Sequence, residues 1–430
     1  MARFIVTVLD GFGVGVMDDY ADFNPQDKNA HTFKSILKSM PELSLPTLAR
    51  LGLMNIAGFE SAMMKFSENA IFGKSKLKHF GADTFFGHQE MMGSKPVKPK
   101  TEPFYTKIDA VEAALIAENY QVRRANYSDL IKNNLLNLKS AHATVSHREI
   151  LIVNEAATIA DNLESYAGQI YNVTSSLDLL SFAQITKIGR IVRAVVSVPR
   201  VIAFAGAQVS LDDILNAVEI KDDDFIGINA PKSGVYAHNY HVIHLGFGVD
   251  FTKQAPHILA QHNIPTFLLG KVADIVATKL GKAYPAVDTA QVLQQTLDYM
   301  DEFTTGFMCS NVQETDLAGH AQDANLYAQR LIIADSYIAK IINKMNADDL
   351  LIVTADHGND PLIGHKGHTR EYVPLMIYSK ALNSDNNGLH DLGMRAGLAD
   401  IAKTAVTFLG VTEDILSGDV IDFIVTTQQF

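Results

Sequence analysis

The 430-residue sequence contains one cysteine, Cys309, so a disulfide within the chain is impossible and a small disulfide-stapled fold is excluded. Its place in the apolar run Gly306-Phe-Met-Cys-Ser310 suits a packed thiol. A nucleophilic thiol needs a partly exposed, electropositive setting. Basic residues are in deficit, with 36 Lys plus Arg against 48 Asp plus Glu and a formal net charge of −12. Phosphate backbones and anionic lipid therefore meet no general attraction, no local basic patch offsets this, and neither nucleic acid nor a membrane surface is an expected partner. Long hydrophobic runs are missing as well. The apolar start, Met1 to Leu9, is interrupted by Asp10 and falls short of both a signal-type apolar segment and the roughly 20 residues of a membrane span. The expectation is a cytoplasmic protein. Low-complexity segments and internal repeats are absent, which excludes collagen and coiled-coil architectures.

What is present is a globular composition, 47% hydrophobic and 20% charged. At roughly 100 to 200 residues per domain, this length predicts two or three domains with ample core. Runs rich in β-branched residues alternate with helical patterns, the mark of an α/β fold. The strand candidates are Phe4 to Leu9, Ile150 to Val153, Val201 to Phe204, Val242 to Leu245, Thr266 to Leu269, Gly306 to Asn311 and Leu350 to Thr354. Leu331, Ala334, Ile338, Ile341 and Met345 fall on one face of a helix. Leu398 to Leu409 reads as a second helix, closed by Gly410 at the C′ position. The segment Lys95-Pro96-Val97-Lys98-Pro99-Lys100, followed by Pro103, is extended, because a residue before proline avoids helical backbone. The acidic run Asp222-Asp223-Asp224 with Pro231-Lys232-Ser233-Gly234 marks a second crossing. The expected organisation is a core of residues 1–103 and 234–430 with residues 104–233 inserted.

Three strand candidates lead into metal-ligating side chains, and in open α/β sheets ligands collect beyond the carboxyl ends of strands. Asp10 follows the first. Asp356-His357-Gly358-Asn359-Asp360 follows Leu350 to Thr354, with His365 and His368 close behind. Asp316 follows Gly306 to Asn311, with His320 four residues on and so on the same face of a helical turn. Each alone reads better as a capping aspartate or a surface histidine; together they form a donor set. Mixed carboxylate and imidazole donors suit Zn or Mn better than Mg or Ca. There are more of them than one four-coordinate catalytic ion uses, which points to a pair of ions of the kind that clamps phosphoryl transfer. The segment Gly81-Ala-Asp-Thr-Phe-Phe-Gly-His-Gln-Glu-Met-Met-Gly93 offers one hydroxyl, Thr84, among turn formers that argue against a regular helix. Thr84 is either a nucleophile activated by a metal or a base, or a cap of the following turn.

The combination of Val8-Leu-Asp-Gly-Phe-Gly-Val-Gly15, Asp83-Thr84 with Gly87-His88 and Glu90-Met-Met-Gly93, Asp316-Leu-Ala-Gly-His320, Thr354-Ala-Asp-His-Gly-Asn-Asp-Pro361 and His368-Thr-Arg-Glu-Tyr-Val-Pro374 resembles the phosphopentomutase family of the alkaline phosphatase superfamily. Order and spacing agree from Asp10 to His368, and Gly270-Lys271 and Leu398-Ala-Asp-Ile401 also look like family segments. The resemblance implies an alkaline phosphatase-like core, with a central mixed sheet flanked by helices, and an inserted α/β cap domain closing over the substrate. It implies two manganese ions, one on Asp10, Asp356 and His357, the other on Asp316, His320 and His368. It further implies a phosphothreonine at Thr84, a transient sugar bisphosphate as activator, and a small phosphorylated sugar as substrate. In the cap, Ile188-Gly-Arg-Ile-Val-Arg193 resembles the family's arginine segment. Arg190 and Arg193 are accordingly candidates for a distal phosphate or for a solvated face, and Asp161 for a sugar hydroxyl.

The sequence departs from the family where Ala82, Phe86 and Gln89 stand for its usual Lys, Thr and Trp, and where Thr315 occupies a common Asp position. Arg370 and Glu371 adjoin His368 as groups that could orient it, and His88 and His365 are spare donors. The expected activity is that of an isomerase, a phosphosugar mutase acting as a monomer. The alternatives are a metal-dependent phosphatase or phosphodiesterase with the same centre, a mutase of the same superfamily acting on a different phosphosugar, and a metal-binding protein that has lost catalysis.

Overall fold

The computed structural model describes residues 2–127, 130, 148–165, 168–221, 225–383, 388–414 and 416–422. The chain divides into two compact units, Met1–Pro96 with Val249–Phe430, and Val97–Gly248. These limits lie outside the expected insertion of 104–233. At its far end the reason is a strand: His241–Gly246 pairs antiparallel with Arg200–Gly206 and completes the inserted unit's sheet. The acidic run at 222–224 is outside the described residues.

The first unit is built on an eight-stranded mixed sheet. Its order is Gly281–Tyr284, Thr266–Gly270, Gly306–Val312, Arg3–Leu9, Leu350–Thr354, Val373–Tyr378, Ile71–Ser75 and His390–Arg395. The first five run parallel, and Val373–Tyr378 is antiparallel to both its neighbours. Arg3–Leu9 is central and buried on both faces, which explains why it reads as a continuous apolar run. The helix Ala324–Lys344 buries Leu331, Ala334, Ile338 and Ile341, the expected face. Ala399–Phe408 ends as expected, with Gly410 at φ +84°, where a side chain would be strained. Leu9 lies opposite Val312, and Val8 opposite Thr354. The register therefore brings the carboxyl ends of three parallel strands to one edge.

The second unit has its own mixed sheet, in the order His241–Gly246, Arg200–Gly206, Ile170–Ser176, Ala157–Asn162, Glu149–Val153 and Val122–Asn126, with the pair Val218–Lys221 and Phe225–Ile228 joined at Ala157–Asn162. Successive side chains of Glu149–Val153 enter opposite cores. Leu151 and Val153 pack with Ile185, Ile188 and Val192 of the helix Phe182–Val195, while Ile150 and Ile152 pack with Ile214 and Ile226. Ala157–Asn162 and Ile170–Ser176 were not among the expected strands, since Asp161, Asn162, Asn172 and the serines interrupt their apolar pattern. Among the described residues no helix is long and apolar enough to cross a membrane.

The helical face makes a stability prediction. Ile338 is fully buried and Ile332 is 43% exposed on the same helix. Ile338→Ala should lower the unfolding free energy by about 2–5 kcal/mol and Ile332→Ala by about 0.5 or less, read from denaturant unfolding. Equal losses would refute this assignment of faces.

Candidate metal centre

Asp10 is the first residue beyond the central strand, Asp356 follows Leu350–Thr354, and Asp316 lies on the helix Gln313–His320 that starts directly after Gly306–Val312. All three carboxylates are buried. Asp10, Asp356 and His357 offer ligand atoms that lie within 4.8 Å of one another, and so do Asp316, His357 and His368. His357 thus belongs to both groups. His320, the more exposed histidine, brings Nε2 to 3.0 Å from His368 Nε2 and 3.4 Å from Asp316 Oδ2. Its Nδ1 meets the Lys366 carbonyl oxygen at 2.6 Å, and His368 Nδ1 meets that of Ala82 at 2.6 Å. Both rings therefore turn Nε2 toward the cluster, the arrangement usual for ligating imidazoles.

The electrostatics follow from buried carboxylates among cationic partners. Burial alone would raise Asp316 and Asp356, yet His368 and its neighbours hold the first, and His357 and His88 the second, below the usual carboxylate range. Against its own burial, His357 is raised to about 10, chiefly by Asp356. Lys271, at the end of Thr266–Gly270, places Nζ 3.1 Å from Asp10 Oδ2, 3.3 Å from Asp316 Oδ2 and 3.1 Å from Thr84 Oγ1. Burial opposes its charge, but the field of Asp10, Asp316 and Asp356 outweighs that and raises its pKa. The positive charges of Lys271 and His357 together do not balance three carboxylates. Asp356 Oδ2 is buried and accepts no well-formed hydrogen bond, facing only the imidazoles of His88 at 3.2 Å and His357 at 3.4 Å, which leaves it an acceptor for a cation. The donor set and this open oxygen fit divalent metal, and the centre binds divalent metal.

Thr84 opens the helix Thr84–Met91, whose N-cap is Asp83, accepting from Phe86 N at 3.0 Å. A regular helix thus replaces the expected irregular turn. One turn former, Gly87, is there for close approach: a Cβ would lie 2.8 Å from the Asp356 carbonyl oxygen. Thr84 Oγ1 contacts His357 Nε2, and it lies 3.5 Å from Asp10 Oδ1. His88, on the same helix, has Nδ1 3.0 Å from the Thr84 carbonyl oxygen and 3.2 Å from Asp356 Oδ2. His365 pairs instead with Asp27 at 2.9 Å. Cys309 is buried, and burial pushes its thiol up, in keeping with a packed side chain.

Two of the departures from the family, Thr315 and Gln89, have side-chain partners of their own. Thr315 Oγ1 meets the carbonyl oxygens of Asp10 and Val312 at 2.7 Å, holding backbone while Asp316 reaches the cluster. Gln89 donates to the Ile275 carbonyl oxygen at 2.7 Å and accepts from Gln254, a buried amide network. Ala82 contributes its carbonyl. Within the second unit, Arg193, the candidate for a distal phosphate, is engaged in part by backbone. Its Nη1 and Nη2 donate to the carbonyl oxygens of Val198 at 2.7 Å and Val196 at 2.5 Å, and its guanidinium covers Phe247 at 5.2 Å. These contacts tie the end of the helix Phe182–Val195 to the segment that follows it. Asp161 is likewise buried and accepts from Phe104 N at 2.9 Å, with burial raising it to about 7. Arg190 is exposed.

Lys271 is the functional residue that sequence reasoning left without a role. Its signals were a place directly after a strand, where lone lysines are common, and the likeness of Gly270-Lys271 to a family segment, and neither gave it a role. Asn359 was also passed over, although its Nδ2 donates to Asp316 Oδ1 at 2.8 Å.

The family model of the Metalloenzyme superfamily matches residues 2–413. The phosphopentomutase of Symbiobacterium thermophilum is 27% identical over 418 residues, covering 96% of this chain and 95% of its own. That of Clostridium kluyveri is 27% identical over 422 residues, covering 96% and 97%. Among solved structures, the phosphoglycerate mutase of Leishmania mexicana is similar at 11% identity and a TM-score of 0.42, over 97% of each chain. With a family match over nearly its whole length and a metal centre built from buried aspartates and histidines, the chain belongs to the Metalloenzyme superfamily, as a phosphomutase and so an isomerase by reaction class.

Proposed function

We propose that this protein is a phosphopentomutase-like phosphosugar mutase, exchanging phosphate between the anomeric and terminal hydroxyls of a small sugar, as in ribose 1-phosphate and ribose 5-phosphate, through a phosphothreonine at Thr84. The observation that carries this reading is the setting of Thr84 Oγ1 at a helix N-terminus, 3.1 Å from Lys271 Nζ and against Asp10 and His357. The names of the relatives supply the substrate class. Asp10, Asp356 and His357 would hold one ion and Asp316, His320 and His368 the other, with Mn in best keeping with the donors and Zn the alternative. Bound there, divalent ions would favour the alkoxide form of Thr84 and neutralise charge on the transferring phosphoryl group.

The chain's own groups divide the remaining work. In the first half-reaction the free hydroxyl of a sugar monophosphate bonds to phosphorus and loses its proton as the Thr84 Oγ1–P bond breaks. The resulting bisphosphate reorients. Thr84 Oγ1 then bonds to the second phosphorus, whose bond to the sugar oxygen breaks, and that oxygen regains a proton. Lys271 keeps positive charge against Oγ1 in both halves. The helix N-terminus favours the negative charge of the phosphothreonine, and Asp83 holds that terminus in place. A sugar bisphosphate would restore the phosphothreonine after any loss to water.

Phosphorus NMR of manganese-loaded protein with ribose 5-phosphate and a trace of glucose 1,6-bisphosphate should show ribose 1-phosphate growing in. Inorganic phosphate alone would make the enzyme a hydrolase, and no change would send the search to other sugars. Thr84→Ala should abolish turnover while metal content by elemental analysis stays near that of the parent; retained turnover would reject Thr84 as the phosphoryl acceptor. Lys271→Met should lower kcat by about 10²-fold, the usual cost of removing one preorganised charge partner. A loss confined to KM would assign Lys271 to ground-state binding instead.

A further inference from the structure

Residues 76–83 lead into Thr84 without regular secondary structure, so their peptide groups need partners from elsewhere. Arg370 supplies many of them. Its guanidinium is buried, with 3% of the residue exposed, and all five N–H groups of the fork are used. Nε and Nη2 donate to the two oxygens of Asp19 at 3.1 and 2.8 Å, and Nη2 also donates to the Leu77 carbonyl oxygen at 2.8 Å. Nη1 donates to the carbonyl oxygens of His79, at 2.8 Å, and Gly81. The plane of the group lies over the Phe23 ring, 4.2 Å from its centroid, and Arg370 N donates to Asp27 Oδ2 at 2.8 Å. Two residues earlier, His368 Nδ1 takes the next carbonyl, that of Ala82, at 2.6 Å. Residues 368 and 370 thus grip the carbonyls of Leu77, His79, Gly81 and Ala82. From the opposite polarity, Glu90 on the Thr84 helix accepts from Lys78 N at 3.0 Å and His79 N at 2.9 Å.

We propose that Arg370 is a positioning residue of the transfer reaction. With His368 it clamps the run from Leu77 to Ala82, so that the segment carrying a metal-ligating histidine also sets where Thr84 stands. The inference rests on the reading of Thr84 as the phosphoryl acceptor. Every donor of the fork is engaged within the protein, which leaves Arg370 none for substrate phosphate. Lysine replaces it only in part, because a single ammonium does not span three carbonyls and a carboxylate in one plane.

Hydrogen exchange by mass spectrometry on the full chain, metal-free and manganese-loaded, joined to steady-state kinetics, tests this with Arg370→Gln and Arg370→Lys. In Arg370→Gln, peptides covering 78–84 should exchange at least about tenfold faster while the central strand Arg3–Leu9 keeps its protection. kcat should fall by about 10²-fold, with KM within about twofold, as expected of a displaced reacting group. Arg370→Lys should recover part of kcat and part of the protection. Unchanged exchange over 78–84 in folded Arg370→Gln would overturn the proposal. So would a raised KM at constant kcat, which would make the guanidinium a substrate ligand. Should that variant not fold, Asp19→Asn removes one anchor of the fork and should show the same pattern at smaller size; unaltered exchange and kcat there would overturn it equally. The exchange readout needs no chemistry at Thr84. Turnover by Thr84→Ala would therefore reject the acceptor while leaving a measured loosening of 78–84 intact.

Discussion

Burying three carboxylates at one edge of a parallel sheet is the constraint on which the rest of this structure depends. Asp10, Asp316 and Asp356 are each at most 2% exposed, and an isolated charge in such a place is prohibitively costly. The surroundings are organised to compensate. Lys271 arrives from the neighbouring parallel strand, His357 and His368 from the loop beyond Leu350–Thr354, and His88 from the Thr84 helix. What these groups leave unbalanced is the electrostatic driving force for divalent cations.

A layer of polar anchors around the carboxylates makes their positions rigid. Glu371 is fully buried and accepts from Gly15 N, Thr32 N, Thr32 Oγ1 and Thr369 Oγ1, tying the loop after the central strand to the loop bearing His368. Burial raises its pKa to about 7. Asn359 fixes Asp316, Thr315 and Tyr327 hold the Asp10 carbonyl oxygen, and Glu90 accepts from Leu398 N at 2.8 Å. Such hydrogen bonds add modest net stability each, but a centre that must place a hydroxyl against two ligand groups depends on their combined geometry.

The inserted unit is organised differently. It has apolar cores on two faces of its sheet, and the charged residues that drew attention in the sequence split by burial. Arg193 closes backbone carbonyls near the end of its helix and Asp161 holds the amide of Phe104, while Arg190 faces solvent. An arginine at a helix C-terminus satisfies carbonyls that have no partner within the helix. That need is local, and it decides the side chain's use.

Sequence alone determined the α/β class, the long apolar strands, the helical face of Leu331 to Ile341 and the donors that gather at the strand ends. Each of these follows from short-range periodicity or from residue chemistry directly after a strand, both legible in one dimension. The strands Ala157–Asn162 and Ile170–Ser176 stayed hidden because buried polar residues break their pattern, and the helix at Thr84 because glycine there answers to packing against Asp356 rather than to turn formation. Only the tertiary structure decided that His357 is common to both donor groups, that Lys271 lies between Asp10, Asp316 and Thr84, and that Arg370 divides its donors between Asp19 and the carbonyls of Leu77, His79 and Gly81. Those facts depend on which distant segments the sheet register brings within about 3 Å, the reach of a hydrogen bond, and no spacing along the chain encodes it.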